Sequence, residues 1–352
     1  MIKIFLVIIV LTLFASCRSY QAPSFDEADW LKRVNAADSS LLYAPHQDEK
    51  GEFFNPWMPQ SLEPPIERRR FFSRKKMQFD DFPVGQYGPV SNNYDYFLSP
   101  ENNSISFVGH ASFFVKIDGA TIAIDLFFSN KALVIGKKVK IPFDYSKLPQ
   151  ELIVLISHNH YDHLDNKTIK KLIKKDAVFI VPLGLKIFLE KKGAKNVHEL
   201  DWWQSVNIGT IRYTLLPAQH WSKRIGQKDN TTLWGGFMIE ASKTIYYSGD
   251  TGYFCGFKEF AKQYKIDYAI VTAGSYEPRW FMHYQHMNIE EFFRAVDELN
   301  AKTVIPMHFG TISLSDEPLV YPLHAINNHI VQNPQYANKI KALRVGEYVN
   351  IP

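Results

Sequence analysis

The segment ISHNHYDHLD carries four side chains that bind metal ions, all within six residues: His158, His160, Asp162 and His163. Neutral imidazole and carboxylate groups suit zinc. Side chains at alternate positions of an extended segment point the same way. His158 and His160 can therefore share one metal, while the other two turn toward a second. A lone histidine in a loop is usually structural, but four ligand types in one short loop predict a metal site.

Apolar runs precede this loop and three further ligand candidates. The run Leu152–Ile156 predicts a buried strand that leads directly into the loop. His220 follows LLPAQ, Asp250 follows IYYSG and His308 follows TVIPM. Polar residues where a buried strand opens into a loop are a usual place for chemistry in layered α/β folds. Each alone fits a hydrogen-bonded histidine or a capping aspartate, but together they supply the ligands that two metals need.

The remainder of the chain from Ser104 shows strand patterns first and strand–helix alternation afterwards. Two apolar runs meet at Asp118-Gly119, which is a strong hairpin signal. Further strands are expected at residues 178–182, 211–217, 237–239, 244–248, 268–271 and 303–306. Helices are expected at residues 168–175, 185–192, 257–264 and 289–299. This succession predicts an α/β protein whose sheets are covered by helices.

The order HNHYDH, a distal histidine, GDTG and MH resembles the ligand order of the metallo-β-lactamase superfamily. A narrower set of segments resembles the N-acylphosphatidylethanolamine-hydrolysing phospholipase D family: VGHASFFV, LPAQHWSKR, SGDTGYF, SYEPRWFMHYQH and MHFGTISLSDEPL. The resemblance covers roughly residues 104–320. It implies a four-layer αββα sandwich, the metallo-β-lactamase fold.

Carried over residue by residue, the resemblance implies two zinc ions. The first would be held by His158, His160 and His220, the second by Asp162, His163 and His308, with Asp250 bridging them. Asp162 and Asp250 are expected to be catalytic as well as ligating. A hydroxide bridging the two ions would attack the phosphorus of N-acylphosphatidylethanolamine, giving N-acylethanolamine and phosphatidic acid.

Other residues of the matched segments are expected to contact substrate. Tyr161 is placed to donate to a phosphate oxygen, and Gln285 and His286 to orient substrate. His286 is also a candidate for protonating the leaving alkoxide. Arg279 fits a phosphate contact and, equally, an internal ion pair with Glu277.

Some nearby residues are expected to support the site rather than to act in it. His110 and Asp125 are structural candidates, and Asp125 is expected to orient a ligand histidine. Trp280 and Phe281 are expected to be wall or core residues. The segment DLFFSNKALVIGKK, residues 125–138, departs from the family pattern, so the sequence does not define the substrate groove.

The first residues have the pattern of a lipoprotein signal peptide. A positive start and an apolar run of eleven, Ile4–Phe14, precede Ala15-Ser16 and Cys17. Residues 1–16 are therefore predicted to be a signal peptide, with Cys17 as the lipidation site. The chain would be anchored in a bacterial cell envelope, as a periplasmic or outer-membrane lipoprotein. The alternative is a plain signal peptide with an incidental cysteine. If Cys17 carries lipid, Cys255 has no partner and is expected to pack and to form no disulfide.

The predicted domains are an N-terminal extension, residues 17–100, and a catalytic domain, residues 101–352. The extension is rich in proline and aromatic residues. It fits an arm wrapped over the core and, alternatively, a cap that faces lipid or substrate.

The charge balance limits the class of partner. A net charge of +4 is compatible with anionic lipid or substrate but too weak to predict nucleic-acid binding. The expected partners are a membrane, through the lipid anchor, and a membrane phospholipid substrate; the sequence is compatible with a homodimer. Two alternatives remain: a hydrolase of another phosphodiester or a lactone, and a metal-stabilised ligand-binding lipoprotein without activity.

Overall fold

The computed structural model describes residues 23–58, 76–79, 81–90, 103–139 and 145–352. The predicted signal peptide, residues 1–16, and the predicted lipidation site Cys17 lie outside these residues. Among the described helices, none combines the length and apolar character needed to span a bilayer.

The first sheet has seven strands in the order β15-β1-β2-β3-β6-β7-β8. Antiparallel pairing joins β15, β1, β2 and β3, and parallel pairing joins β3, β6, β7 and β8. The strands are β1 Ser104–Gly109, β2 Ser112–Ile117, β3 Ala120–Ile124, β6 Glu151–Leu155, β7 Asp176–Pro182, β8 Asn196–Leu200 and β15 Tyr348–Asn350.

The second sheet has six strands in the order β14-β13-β12-β11-β10-β9. The strands are β9 Ser205–Ile208, β10 Ile211–Leu216, β11 Gly236–Glu240, β12 Thr244–Tyr247, β13 Tyr268–Thr272 and β14 Thr303–Met307. A separate two-stranded hairpin pairs β4 Lys131–Ala132 with β5 Ile135–Gly136.

The period-two pattern of the strands divides the core into layers. In β2, Phe113 and Val115 join the large core shared by both sheets, whereas Phe114 joins a second cluster on the other face. Tyr247 of the second sheet packs against Phe113 and donates to the carbonyl of Ala111, with 3.0 Å between the oxygens. The two sheets therefore pack face to face.

Helices cover the outer faces of both sheets. The helices are α1 Glu27–Asn35, α2 Asn166–Leu172, α3 Lys186–Glu190, α4 Gly256–Gln263, α5 Arg279–Met282, α6 Ile289–Leu299 and α7 Tyr321–Gln332. Apolar residues of α2 and α3 pack in the second cluster, and those of α4 and α6 pack with the second sheet. The predicted four-layer αββα sandwich is confirmed.

Most predicted elements occur close to their expected positions. Asp118 and Gly119 form the turn between β2 and β3, both with positive φ, 51° and 82°. The helix expected at residues 168–175 begins earlier because Asp165 accepts a hydrogen bond from the backbone N–H of Lys167 and caps it. The pattern missed the helices α1, α5 and α7 and the strands β4, β5, β8, β9 and β15.

The described part of the N-terminal extension packs on the core. Trp30 of α1 is buried, and its indole N–H donates to Glu291 of α6 over 2.8 Å. Trp57 is buried as well and donates to Gln219 over 3.1 Å. Here the extension wraps the core, while the boundary at residue 100 stays a prediction.

Candidate metal centre

The seven predicted ligands follow strands at one edge of the sandwich. The loop with the first four begins after β6 of the first sheet. His220, Asp250 and His308 follow β10, β12 and β14 of the second sheet. The sandwich therefore brings ligands from both sheets to one place, as the strand-end pattern predicted.

Asp165, the last residue of the segment ISHNHYDHLD, holds the loop between β6 and α2 in place. The carboxylate of Asp165 accepts from the hydroxyl of Thr168 over 2.6 Å and from the backbone N–H and hydroxyl of Ser129. Asp165 is buried and faces these donors, so it fixes the loop in place.

Three histidines form a first cluster, whose ring nitrogens converge. Nδ1 of His160 lies 2.8 Å from Nε2 of His158 and 3.2 Å from Nε2 of His220. Nδ1 of His220 lies 3.3 Å from the carbonyl oxygen of Gln285, so an N–H there leaves Nε2 with a lone pair toward the cluster. Burial holds the pKa of His158 and His220 well below the usual range, which keeps both rings neutral and able to bind metal.

A second cluster combines a carboxylate with histidines. Oδ2 of Asp162 lies 3.4 Å from Nε2 of His163 and 3.7 Å from Nε2 of His308. His110 supports this carboxylate, with 2.7 Å between its Nε2 and the same oxygen. The backbone N–H of His308 donates to the carbonyl of His110 over 2.9 Å, and the two ring centroids are 4.0 Å apart.

Asp250 lies between the two clusters. Its Oδ2 is 3.0 Å from Nε2 of His308 and 3.1 Å from that of His163. The same oxygen is 3.8 Å from Nε2 of His220 and 3.9 Å from that of His158. Burial alone would raise the pKa of Asp250, but His163 and His308 lower it well below the usual range. An ionised carboxylate therefore stands where it can bridge two cations.

The donors that face this centre fit bound metal ions. Among the described residues, Oδ1 of Asp250 is buried without a hydrogen-bond partner, and Nε2 of His163 and of His308 form no well-oriented hydrogen bond although both lie close to Oδ2 of Asp250. Such atoms are costly unless something satisfies them. Burial lowers the pKa of His308, but the carboxylates of Asp250 and Asp162 outweigh that effect and raise the pKa to about 9, because they stabilise the charged imidazolium. Bound metal ions would supply positive charge, and the buried atoms that lack a hydrogen bond would coordinate them.

Asp125 orients a ligand histidine, as predicted. Its Oδ2 lies 2.7 Å from Nδ1 of His163, which turns Nε2 of that ring toward the centre. The carboxylate also accepts from the backbone N–H of Ser157 over 2.8 Å and from the hydroxyl of Tyr247 over 2.7 Å. Neither Ser157 nor Tyr247 was predicted, although Ser157 directly precedes the first predicted ligand.

The N-terminal extension supports the loop of His220. Asn55 donates from Nδ2 to the carbonyl of His220 over 3.0 Å and accepts from the indole N–H of Trp234 over 3.2 Å. The amide of Gln219, which Trp57 contacts, donates to the carbonyl of Tyr284 over 3.0 Å. These supports were not predicted, and Gln219 within LPAQHW was the only local signal for them.

A cavity of about 420 Å³ opens over the centre. Five of the ligands line it, together with the predicted substrate contacts Tyr161, Gln285 and His286. Its other walls are largely apolar, and they include Leu133, Ile135, Trp221, Ile225, Phe281, Met282 and Leu314. Phe281 is thus a wall residue, as expected.

Tyr161 and His286 present polar atoms to this cavity. The Tyr161 hydroxyl accepts from the backbone N–H of Ile225 over 3.2 Å, and the Arg224 guanidinium lies 3.9 Å from its ring centroid. His286 stacks on His308 with 5.0 Å between centroids, and its Nδ1 is buried without a partner among the described residues. Burial lowers the pKa of His286 to about 3, so the ring is neutral near pH 7.

The prediction that Arg279 contacts substrate is wrong, and so is the predicted partner of its ion pair. Its guanidinium is buried between Glu27 and Glu291, at 2.7 Å and 3.0 Å, and does not line the cavity. The carboxylate of Glu277 instead accepts the backbone N–H of Arg279, over 3.0 Å. Arg279 also donates to the carbonyl of His286 over 3.1 Å, so it holds the His286 segment from behind.

Comparisons with known proteins agree with this fold and site. The family model of the beta-lactamase superfamily domain matches residues 122–309. The chain is similar to the mitochondrial N-acyl-phosphatidylethanolamine-hydrolyzing phospholipase D of Saccharomyces cerevisiae, at 31% identity over 62% of this chain and 49% of that protein. It is also similar to N-acyl-phosphatidylethanolamine-hydrolyzing phospholipase D 1 of Caenorhabditis elegans, at 32% identity over 63% of this chain and 68% of that protein. The chain thus spans about half the length of the yeast relative.

Among solved structures, the fold is shared with Igni18, a metallo hydrolase from Ignicoccus hospitalis. The TM-score is 0.55 at 23% identity, and the match covers 71% of this chain and 98% of that one. The family match, the sandwich and the clustered histidines and aspartates together indicate a metal-dependent hydrolase. The chain belongs to the metallo-β-lactamase superfamily.

Proposed function

We propose that this protein is a dizinc phosphodiesterase of phospholipase D type. It hydrolyses N-acylphosphatidylethanolamine to N-acylethanolamine and phosphatidic acid. The observation that carries the proposal is Asp250, whose Oδ2 lies within 4 Å of histidines from both clusters at the floor of a cavity with apolar walls. The two relatives named for this activity support the choice of substrate.

The donor set favours zinc. It contains imidazole and carboxylate groups only, which suit that ion. Zinc ions held there would act as Lewis acids that activate water near pH 7 and offset charge on the phosphoryl oxygens. Each cluster offers three donors of its own, and Asp250 is shared.

The chain's own residues bind and orient the phosphodiester. The Tyr161 hydroxyl, held by Ile225 and stacked under Arg224, donates to a phosphoryl oxygen. The unpaired ring nitrogen of His286 provides a second hydrogen bond at the opposite wall. Arg279 is buried behind the segment that carries His286 and donates to the carbonyl of that residue. The Arg279 guanidinium therefore takes no part in binding the phosphate.

The apolar walls take the acyl chains. Phe281, Met282 and Leu314 lie beside the polar floor. A ligand with a phosphate at one end and hydrocarbon at the other satisfies both parts of the cavity, since apolar walls exclude water around the reacting group. An ordinary polar phosphodiester would leave these walls exposed.

The proposed location is a bacterial cell envelope, with Cys17 lipidated after removal of residues 1–16. The pattern of the first residues supports this location. Mass spectrometry of protein purified from a bacterial membrane tests it. An acylated N-terminal Cys17 is expected, and an uncleaved or unacylated chain contradicts the location without affecting the chemistry.

Hydrolysis of defined lipids tests the function. Purified protein loaded with zinc is incubated with N-acylphosphatidylethanolamine, phosphatidylethanolamine, phosphatidylcholine and an acyl lactone, and the products are identified by mass spectrometry. N-acylethanolamine is the expected main product. Asp250→Asn should remove this activity, and Asp176→Asn, at an exposed strand end, serves as the matched control.

The other outcomes separate the alternatives. Faster turnover of an ordinary phospholipid or the lactone would replace the proposed substrate but keep the hydrolase. Tight lipid binding without turnover of any substrate, in protein that holds both ions, would support the ligand-binding lipoprotein instead.

A further inference from the structure

The hairpin β4–β5 presents two large apolar side chains to solvent beside the cavity. We call residues 131–136 the tongue. Its two strands pair Lys131 with Gly136 and Ala132 with Ile135, so Leu133 and Val134 form the turn. They are 45% and 82% exposed. Leu133 also lines the cavity, so the tongue tip adjoins its opening.

The turn conformation makes these residues unusual in water. Leu133 has a φ of 51°, in the region where side chains other than those of Gly, Asn and Asp are strained. A two-residue hairpin turn with positive φ at its first position usually has Gly there. A tip that functioned only in water would favour small or polar residues. The leucine and valine instead indicate that the tip enters an apolar environment.

The base of the tongue packs against the rest of the protein, so the tip projects from a fixed support. Ala132 packs with Phe127 and Ile312 in a small apolar cluster, and Ile135 packs against it. The backbone N–H of Lys138 donates to the carbonyl of Thr311 over 2.8 Å. The apolar tip is therefore held outward by a packed support.

A second loop adds an exposed apolar residue beside the same cavity. Ile225 is 71% exposed and lines the cavity. Its backbone N–H donates to the hydroxyl of Tyr161, which ties the loop to the metal-ligand segment. Exposed apolar side chains from two separate loops thus border one opening.

The charge around these loops is mainly basic. Residues 127–139 and 221–229 carry six lysines and arginines and one acidic residue, Asp229, which pairs with Lys223, although the whole chain has 40 basic and 36 acidic residues. Lys131, Lys138 and Lys228 are exposed. Apolar tips flanked by lysines match a bilayer with anionic headgroups, because the lysines meet the phosphates while the tips reach the acyl boundary.

We infer that Leu133, Val134 and Ile225 form a membrane-docking surface, which inserts into the headgroup–acyl boundary of an anionic bilayer. The inference rests on the proposed function for its lipid substrate and explains how that substrate reaches the centre. Docking brings the cavity opening to the level of the acyl chains, so a phospholipid enters without crossing water.

Vesicle binding by matched valine variants tests the inference. Val134→Asp changes the tongue tip, and Val331→Asp changes a valine on α7 that is 79% exposed. Vesicles of phosphatidylcholine with phosphatidylglycerol are used, and they contain no N-acyl lipid. Val134→Asp in the full chain should weaken the partition onto vesicles by about tenfold, since a buried valine is replaced by a charge. Val331→Asp should bind as the parent does.

A fluorescent probe provides a second test, for the case in which the N-terminal residues alone hold both variants on vesicles. In a Cys17→Ser chain, a polarity-sensitive dye is placed at Val134→Cys or at Val331→Cys. Burial raises the pKa of the Cys255 thiol to about 12, so the introduced cysteine reacts first. Vesicles should shift the dye emission at position 134 to shorter wavelength and leave the dye at position 331 unchanged.

Equal binding by the two aspartate variants, or equal dye spectra on vesicles, overturns the inference. A dimer that dissociates in Val134→Asp, without vesicle binding by the parent, also overturns it and identifies a second copy as the occupant. Zinc content and melting temperature of Val134→Asp should match the parent, because residue 134 does not contact the centre. Vesicle binding that depends on Val134 without hydrolysis of N-acylphosphatidylethanolamine would defeat the proposed function alone.

Discussion

The two clusters of predicted metal ligands are built differently. The first, His158, His160 and His220, contains only imidazoles, and burial keeps the pKa of each low. The second contains the carboxylate of Asp162, and the pKa of His163 and His308 is raised by the aspartates around them. The first cluster is therefore electrically neutral without metal, whereas the second already holds compensating charges.

The supports of the two clusters differ in the same way. The second depends on two buried carboxylates: Asp125, which Ser157 and Tyr247 hold, and Asp162, which His110 holds. The first depends on backbone carbonyls, such as that of His220, which Asn55 of the N-terminal extension fixes. One cluster is thus positioned by electrostatics and the other by packing of the chain, so different substitutions should disturb each.

Removing the shared carboxylate should have the largest effect. Asp250→Asn takes away the one charge that faces both clusters. Metal affinity and hydrolysis should fall by at least about a hundredfold, because even residues that only support metal ligands account for a ten- to hundredfold difference in affinity or activity. Zinc titration against a chelator and single-turnover assays measure the two quantities. Parent-like affinity for either ion would show that Asp250 is not shared.

Single-ligand variants should separate the clusters. His160→Ala belongs to the first and His308→Ala to the second. Each should lower the number of bound ions by about one, because a site left with two donors of its own and the shared Asp250 binds weakly. Titration calorimetry with zinc measures the stoichiometry. Loss of all binding in both variants would mean that the clusters fill only together.

Asp125→Asn should weaken the second cluster more than the first. The substitution removes the charge that orients His163 through its Nδ1. Affinity for the ion in that cluster should fall by about ten- to a hundredfold. Competition with a coloured chelator reads both affinities in one experiment. An equal loss in the first cluster would point to transmission through Ser157, whose hydroxyl also lies 2.9 Å from Nδ1 of His158.

Asn55→Ala should have the smallest effect and act on the first cluster. It removes the hydrogen bond to the carbonyl of His220 and leaves buried groups unpaired. The free energy of unfolding should fall by about 1–3 kcal/mol, while affinity in the second cluster is kept. Urea denaturation followed by tryptophan fluorescence measures this. Asn207→Ala, at an exposed position of β9, is the control and should change stability by less than about 0.5 kcal/mol.

The position of the candidate metal centre could be predicted from the sequence because the signal for each residue lies in a short segment. Each candidate ligand directly follows an apolar run, and strand ends at one edge of a sandwich lie together. His220, Asp250 and His308 could therefore be placed beside the loop of His158 without coordinates. The same local logic identified the Asp118-Gly119 turn.

Contacts between distant segments could not be predicted from local pattern. The partner of Arg279 was misassigned because Glu27 lies 252 positions away, whereas Glu277 is adjacent in sequence. Asn55 reaches His220 across 165 positions for the same reason. The short strands β8 and β9 were missed since their alternation covers too few residues to stand out.

The origin of the ligands in both sheets links metal supply to folding. An ion bound at this centre would tie the loop after β6 of the first sheet to the ends of β10, β12 and β14 of the second. It would act as a reversible cross-link that exists only in the native state. At a free ion concentration 100 times its dissociation constant, such binding adds about 2.7 kcal/mol to the free energy of unfolding. The availability of metal would then set how long the folded protein survives, as well as whether it is active.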